Sequence, residues 1–145
     1  MHSERNTRAA SAASFLVTVS NIIGVLARVF VDDLDAALPV YRALADDAEP
    51  QLFTFRDVRL ARVGQFLLLS GDTDAYRDRV ATLIVRSLDP VLATFETYGG
   101  EVLEGPSAAP NGRRLIARHP DGCVFEYLES AEAARDASRV PLVVA

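Results

Sequence analysis

Two charged residues interrupt apolar strand-like patterns, and they mark where chemistry could sit. Arg28 lies in Leu26-Ala-Arg28-Val-Phe30, and Glu126 in Val124-Phe-Glu126-Tyr-Leu128. Successive side chains of a strand point to opposite faces. If Leu26 faces inward, Arg28 and Phe30 share that face, while Glu126 shares one face with Val124 and Leu128. The two charges would then project into one pocket, where a buried charge must be paired or used. Three arrangements fit. The pair forms a satisfied salt bridge, or Arg28 reaches the rim on its aliphatic stem. Alternatively, Arg28 holds an anionic or carbonyl oxygen of a ligand while Glu126 accepts a hydrogen bond or acts as general base. Val80, Thr82 and Ile84 would line the opposite wall, joined by Phe66 and Leu68, giving a mostly apolar pocket with few polar anchors.

Other reactive side chains are sparse. The histidines are His2, near the N-terminus, and His119, at a turn where a structural or solvated role is expected. Cys123 is the single cysteine, which rules out an internal disulfide and a cysteine-based zinc site. It stands next to a turn without an activated base and is expected to be buried and inert. Arg113 and Arg114 read as solvated surface, Tyr41 and Tyr98 as core residues on helix stripes, and Asp46-Asp47 as a solvated helix end.

The elements that position these residues come from a faint internal repeat at an offset of 54 residues. It pairs Val31 with Val85, Leu34 with Leu88, Asp35 with Asp89, Leu38 with Leu92 and Tyr41 with Phe95. Each copy reads as a strand running into an amphipathic helix. In the first, Gly24 marks where the strand begins within the apolar run 15–31, and a helix follows from about Asp33. Pro39 lacks a backbone donor, so that helix is expected to start late or to kink. Strands follow at 51–56, 58–63 and 65–70, and a polar connector spans 72–79. The second copy gives a strand at 80–85, then a helix capped by Ser87 and stopped by Gly99-Gly100. Strands at 101–104, 112–118 and 123–129 complete it. The loop 105–112 reads as a possible lid, and His119-Pro120-Asp121-Gly122 as a type I turn.

The organisation is β-α-β-β-β twice. Residues 1–14 read as a tail and 15–129 as a single two-unit domain, with units at about 22–71 and 79–129. Residues 130–145 read as a C-terminal tail with a short Ala-rich helix. Arg5 and Arg8 before the apolar run superficially suggest a signal peptide. Ser20, Asn21 and Arg28 break that run, however, and the first strand lies inside it.

Composition sets the class. Hydrophobic residues make up 50% and charged residues 24% of 145 residues, as in an ordinary soluble domain large enough for its own core. The net charge of -5, with arginines scattered and no lysine, argues against a nucleic-acid partner. No membrane span is expected.

The repeat order resembles the vicinal oxygen chelate superfamily, which includes glyoxalase I, extradiol dioxygenases, fosfomycin-modifying enzymes and bleomycin-binding resistance proteins. The resemblance covers about residues 22–129. It is carried by Val31-Asp-Asp-Leu34, Tyr41-Arg42, Gly99-Gly100-Glu101-Val102, Gly105-Pro106 and His119-Pro-Asp-Gly-Cys-Val-Phe-Glu126-Tyr. It implies an α+β fold in which two βαβββ units with mixed sheets form an open barrel around a central cavity. It also implies four metal ligands, one near the start of each unit's first strand and one near the end of its last.

Those positions fall at Leu26, Val80, at or near Ser70, and Glu126, so Glu126 alone matches a ligand and no metal or other cofactor is expected. The expected function is metal-independent binding of a small organic molecule between the units by a cytoplasmic homodimer. The site would comprise Arg28 and Glu126 with Leu26, Phe30, Phe66, Leu68, Ser70, Val80, Thr82 and Val124. Two alternatives stay open. One is an isomerase, lyase or cyclase acting on a carbonyl compound, with Glu126 as base and Arg28 stabilising the oxyanion. The other is a partner-binding module with a vestigial pocket.

Overall fold

A computed structural model describes residues 20–109 and 112–130. The first unit consists of β1 (Ile22–Phe30), α1 (Leu34–Leu44), β2 (Gln51–Phe55), β3 (Val58–Val63) and β4 (Phe66–Gly71). A 3-10 turn, Asp74–Tyr76, leads to the second unit: β5 (Arg79–Val85), α2 (Asp89–Tyr98), β6 (Glu101–Ala109), β7 (Gly112–Arg118) and β8 (Val124–Glu129). The eight strands form one mixed sheet curled into a half-barrel, in the order β2-β3-β4-β1-β5-β8-β7-β6. Among the described residues no helix is long and apolar enough to cross a membrane.

In each unit the first strand pairs parallel with the last, β1 with β4 and β5 with β8. The two first strands meet antiparallel in the middle of the sheet, where Ala27 faces Ala81. Those two alanines are separated by the repeat offset, so the pseudo-twofold axis runs through that pair. The same offset relates Arg28 to Thr82, which are 54 positions apart and hydrogen-bonded across the seam. The repeat visible in the sequence thus becomes a contact at the centre of the molecule.

Both helices cover one face. Asp33 caps α1 by accepting from the N–H groups of Asp35 (3.1 Å) and Ala36 (3.3 Å). Leu34, Ala37, Leu38 and Tyr41 pack it onto Ala61, Val63, Leu68 and Phe66, with the Tyr41 ring edge-on to Phe66. The helix neither starts late nor ends at Pro39, which sits within it on the exposed side. The carbonyl that Pro39 cannot serve, that of Asp35, belongs to an exposed residue where water can substitute. In α2, Val91, Leu92 and Phe95 pack onto Leu83, Leu115 and Tyr127. Ser87 Oγ accepts from Asp89 N–H at 3.1 Å, one residue ahead of the formal cap, Leu88.

Several expectations change. β1 begins at Ile22, and its register shifts between Ile22 and Gly24. Tyr98, in the last turn of α2, is 76% exposed because the packed stripe ends at Phe95. The segment expected as a lid is mostly strand: β6 runs to Ala109, and Ser107 and Ala108 pair with Arg114 and Arg113. Gly105 permits this, because at φ +84 a Cβ would lie 2.6 Å from the Arg114 carbonyl oxygen. The expected C-terminal helix and both tails lie outside the described residues, apart from Ser130, which is buried.

Candidate functional site on the inner face

The face opposite the helices carries Leu26, Leu67, Leu69, Ile84 and Leu128, with Phe30, Phe53 and Phe55 packed against them. A cluster of charges sits within this apolar surface. Arg28 from β1 donates through Nη1 to Thr82 Oγ1 of β5 (2.8 Å) and to Glu126 Oε1 of β8 (3.3 Å). The Thr82 hydroxyl in turn donates a hydrogen bond to Glu126 Oε1 at 2.7 Å. From β7, Arg114 Nε donates to the other oxygen, Oε2, at 3.2 Å.

The network continues outward. Arg114 Nη1 lies 3.5 Å from Glu104 Oε1, and Arg79 Nη2 donates to Glu104 Oε2 at 3.3 Å. Arg79 Nη1 bonds Asp78 Oδ1 and the Ala75 carbonyl.

Burial divides the charges by sign. The side chains of Arg28, Arg79 and Arg114 are 1%, 6% and 7% exposed, and that of Glu126 is 0% exposed. Glu104 and Asp78 reach solvent at 44% and 57%. Among the described residues Glu126 is therefore the one buried carboxylate amid three buried guanidinium groups. Burial pushes the Glu126 carboxyl above the usual carboxylate range, while Arg28, Arg114 and the Thr82 hydroxyl pull it back. Burial likewise lowers Arg28, opposed by the Glu126 charge. Arg28 Nε and Nη2 and Arg79 Nε are buried with no hydrogen-bond partner among the described residues.

Arg28 and Glu126 thus meet as strand alternation predicts. Leu26, Phe30 and Ile84 belong to the inner cluster, and Val124 is buried beside Arg79 in the β5–β8 register. Phe66 and Leu68 do not line this face. They pack under α1, and Ser70 follows them in alternation, on the face where its register partner Arg59 reaches Asp35 on α1. The inward residues of β4 are Leu67 and Leu69. Val80 is 55% exposed, beside the register shift between Arg79 and Thr82.

Arg114 was expected at the surface and is buried in the network. Cys123 was expected to be buried and is exposed, with the Asp121 charge raising its thiol. His119 packs structurally: its ring stacks on Phe125, and Nε2 lies 2.6 Å from the Tyr127 hydroxyl.

A divalent ion at the positions implied by the resemblance does not fit these residues. The symmetry that relates Arg28 to Thr82 also relates their parallel-strand partners, Leu67 and Glu126, so Leu67 replaces Ser70 as the first unit's late position. The set is then Leu26, Val80, Leu67 and Glu126, and both oxygens of Glu126 already accept from cationic or hydroxyl donors. Among the described residues no three His, Cys, Asp or Glu side chains gather elsewhere to hold an ion.

No protein-family model matches the chain, and no curated protein matches it in sequence. Solved structures do. The chain is similar to an uncharacterized protein from Methanosarcina mazei, at 32% identity and a TM-score of 0.72, over 86% of this chain and 100% of that one. It is also similar to two methylmalonyl-CoA epimerases. A variant from Streptomyces coelicolor, in complex with 2-nitronate-propionyl-CoA, matches at 22% identity and TM-score 0.56, over 79% and 99% of the two chains. The enzyme from Mycobacterium tuberculosis matches at 18% and 0.57, over 79% and 92%. At those identities the likeness to the epimerases is one of fold, and it supports a glyoxalase-like architecture.

Proposed function

This chain belongs to the family of the uncharacterized Methanosarcina mazei protein, and from that premise we propose that it is a metal-independent binding protein of the vicinal oxygen chelate type. It holds a small organic molecule against the inner face of the half-barrel. The observation that carries this reading is the buried Arg28–Thr82–Glu126–Arg114 cluster in an apolar surface at the seam between the units. Binding sites usually have this character, with a few fixed polar groups set among apolar walls. Arg28 is the anchor, Leu26 and Phe30 flank it on the same strand face, and Thr82 and Glu126 fix its orientation.

A second reading takes Glu126 as general base toward a carbonyl compound, with Arg28 stabilising the oxyanion. Its support is the Glu126 carboxyl, which burial pushes above the usual carboxylate range, the direction that makes a carboxylate a stronger base. Against it, both Glu126 oxygens already accept hydrogen bonds, from Arg28 and Thr82 at Oε1 and from Arg114 at Oε2, so an abstracted proton would have to share an oxygen with those donors.

Ligand-observed NMR with a mixed library of organic acids, amides, alcohols and amines tests the proposal on the full chain. The expected result is saturable binding of at least one class, with the ligand's spectrum unchanged over hours. Turnover that stops in Glu126→Gln would replace binding with the enzymatic reading. Metal analysis of protein incubated with nickel, zinc, manganese or ferrous iron supplies a further check. Stoichiometric metal that is lost in Glu126→Gln would overturn the metal-independent site.

A further inference from the structure

Arg28 has five N–H donors, and they are used unevenly. Both contacts seen for its guanidinium, to Thr82 Oγ1 and Glu126 Oε1, are made by Nη1. Nε and Nη2 are buried and have no partner among the described residues, on a side chain 1% exposed. In a guanidinium the Nε–H and one Nη2–H point in parallel from the same edge, with a separation that matches the two oxygens of a carboxylate. The molecule contains its own example of that edge in use. On the other face of the sheet, Arg113 Nε donates to Glu129 Oε1 at 2.9 Å and its Nη2 to Glu129 Oε2 at 2.8 Å.

Leaving such donors unpaired in the interior is costly, so an edge retained in this state points to an acceptor that the described residues do not supply. Electrostatics chooses its sign. Arg79 and Arg114 have Asp78 and Glu104 as further partners, whereas among the described residues Glu126 is the one carboxylate that meets Arg28, and it does so through Nη1, so the open edge presents positive charge to an anion. The surroundings choose the rest of the molecule. Along β1 the same face presents Leu26 and Phe30, and across the parallel pair Arg28 lies beside Leu67.

We infer that the Nε/Nη2 edge of Arg28 is a carboxylate-binding fork, and that the molecule this domain holds is a small organic acid with an apolar body. This rests on the binding reading above and narrows it to a ligand class. A carboxylate brings one charge and two coplanar oxygens to two parallel donors. A phosphate brings more charge and more oxygens than that edge can serve. Once a carboxylate is seated at this buried edge, its two charge-assisted bonds face little competition from water.

The test compares benzoate, benzamide and inorganic phosphate as probes on the full chain, by ligand-observed NMR and by the Arg Nε–H resonances of labelled protein. Benzoate is expected to bind roughly tenfold or more tightly than benzamide. It should move the Arg28 Nε–H resonance while leaving that of Arg113, whose edge is filled, in place. Arg28→Lys keeps the charge but loses the fork and should weaken benzoate by a similar factor, whereas Arg113→Lys should leave it unchanged.

Benzamide or another neutral fragment binding as well as benzoate would overturn the carboxylate assignment and leave the binding reading intact. So would phosphate displacing benzoate at equal concentration, or an unmoved Arg28 resonance. The absence of binding by any class in the mixed library would overturn both. The wild-type comparison and the resonance shift decide the matter even if Arg28→Lys fails to fold.

Discussion

Strand β8 presents two glutamates to opposite faces of the sheet, and the adjacent arginines of β7 meet one each. On the helix side, Arg113 grips Glu129 with both oxygens engaged, and Glu129 Oε2 also accepts the Leu88 N–H at the start of α2 at 2.7 Å. That pair is partly solvated, with the Arg113 side chain 41% and that of Glu129 15% exposed. The hydrogen bond from Arg113 holds the Glu129 carboxyl below the usual carboxylate range. On the inner side, Glu126 is fully buried and its carboxyl is pushed up by that burial. Its arginine across the seam, Arg28, keeps Nε and Nη2 without a partner among the described residues. The outer pair fastens a helix to the sheet and closes its hydrogen bonds in doing so. The inner cluster is expensive to bury and is left incomplete, as expected of a group that waits for something else.

The difference should be largest in stability at Glu126. Glu126→Ala strips the buried guanidinium groups of their compensating charge and is expected to cost about 3–5 kcal/mol. A fall in the urea midpoint at constant m-value would show this. A loss no greater than that of Glu129→Ala would erase the distinction between the faces. Replacing Arg28, Glu126 and Arg114 together with Met, Leu and Met should recover most of that loss, since the desolvation cost disappears with the charges. A triple variant as unstable as Glu126→Ala would make the inner cluster a structural device and remove the support for a ligand site.

The faces should also separate on a pH axis. The folded-state pKa of Glu126 is raised, so between the ordinary carboxylate range and that raised value the folded chain retains a proton that the unfolded chain releases. Stability then falls as pH rises through that window. Glu126→Gln keeps the shape without the titration, so its Tm should decline less over the same range at fixed ionic strength. An unchanged slope in the variant would assign the titration to another group.

Strand alternation alone is enough to bring Arg28 and Glu126 together, because each is a polar residue in an apolar strand and so sets the phase of its own strand. The repeat offset likewise matched β1 with β5, but it is their antiparallel register that sets the symmetry axis at Ala27 and Ala81. The phase of β4 was not legible: Leu67, Leu68 and Leu69 are all 0% exposed, so no polar residue shows which face is which, and Phe66, Leu68 and Ser70 were assigned one residue out of register. Arg114 was readable in principle. Adjacent residues of a strand cannot share a face, so the Arg113-Arg114 pair had to send one guanidinium inward. Arg79 and Glu104 offered no such signal, because each borders a shift in register where period-two reasoning fails.

The smallest expected effect belongs to the outer pair, and it sharpens the contrast by its sign. Glu129→Gln weakens two charge-assisted bonds at a partly solvated site, while its amide oxygen can still accept from Leu88. A cost of about 1 kcal/mol at neutral pH is expected. Because the folded-state pKa of Glu129 is depressed, its contribution is present above the ordinary carboxylate pKa and is lost as pH falls through the depressed value. The difference between wild type and Glu129→Gln should therefore close on acidification, whereas the effect of Glu126→Gln on slope appears as pH rises. Urea denaturation of both variants across acid and neutral pH checks this. Two curves bending in the same direction would mean that the glutamates share one environment, contrary to the division of labour between the faces.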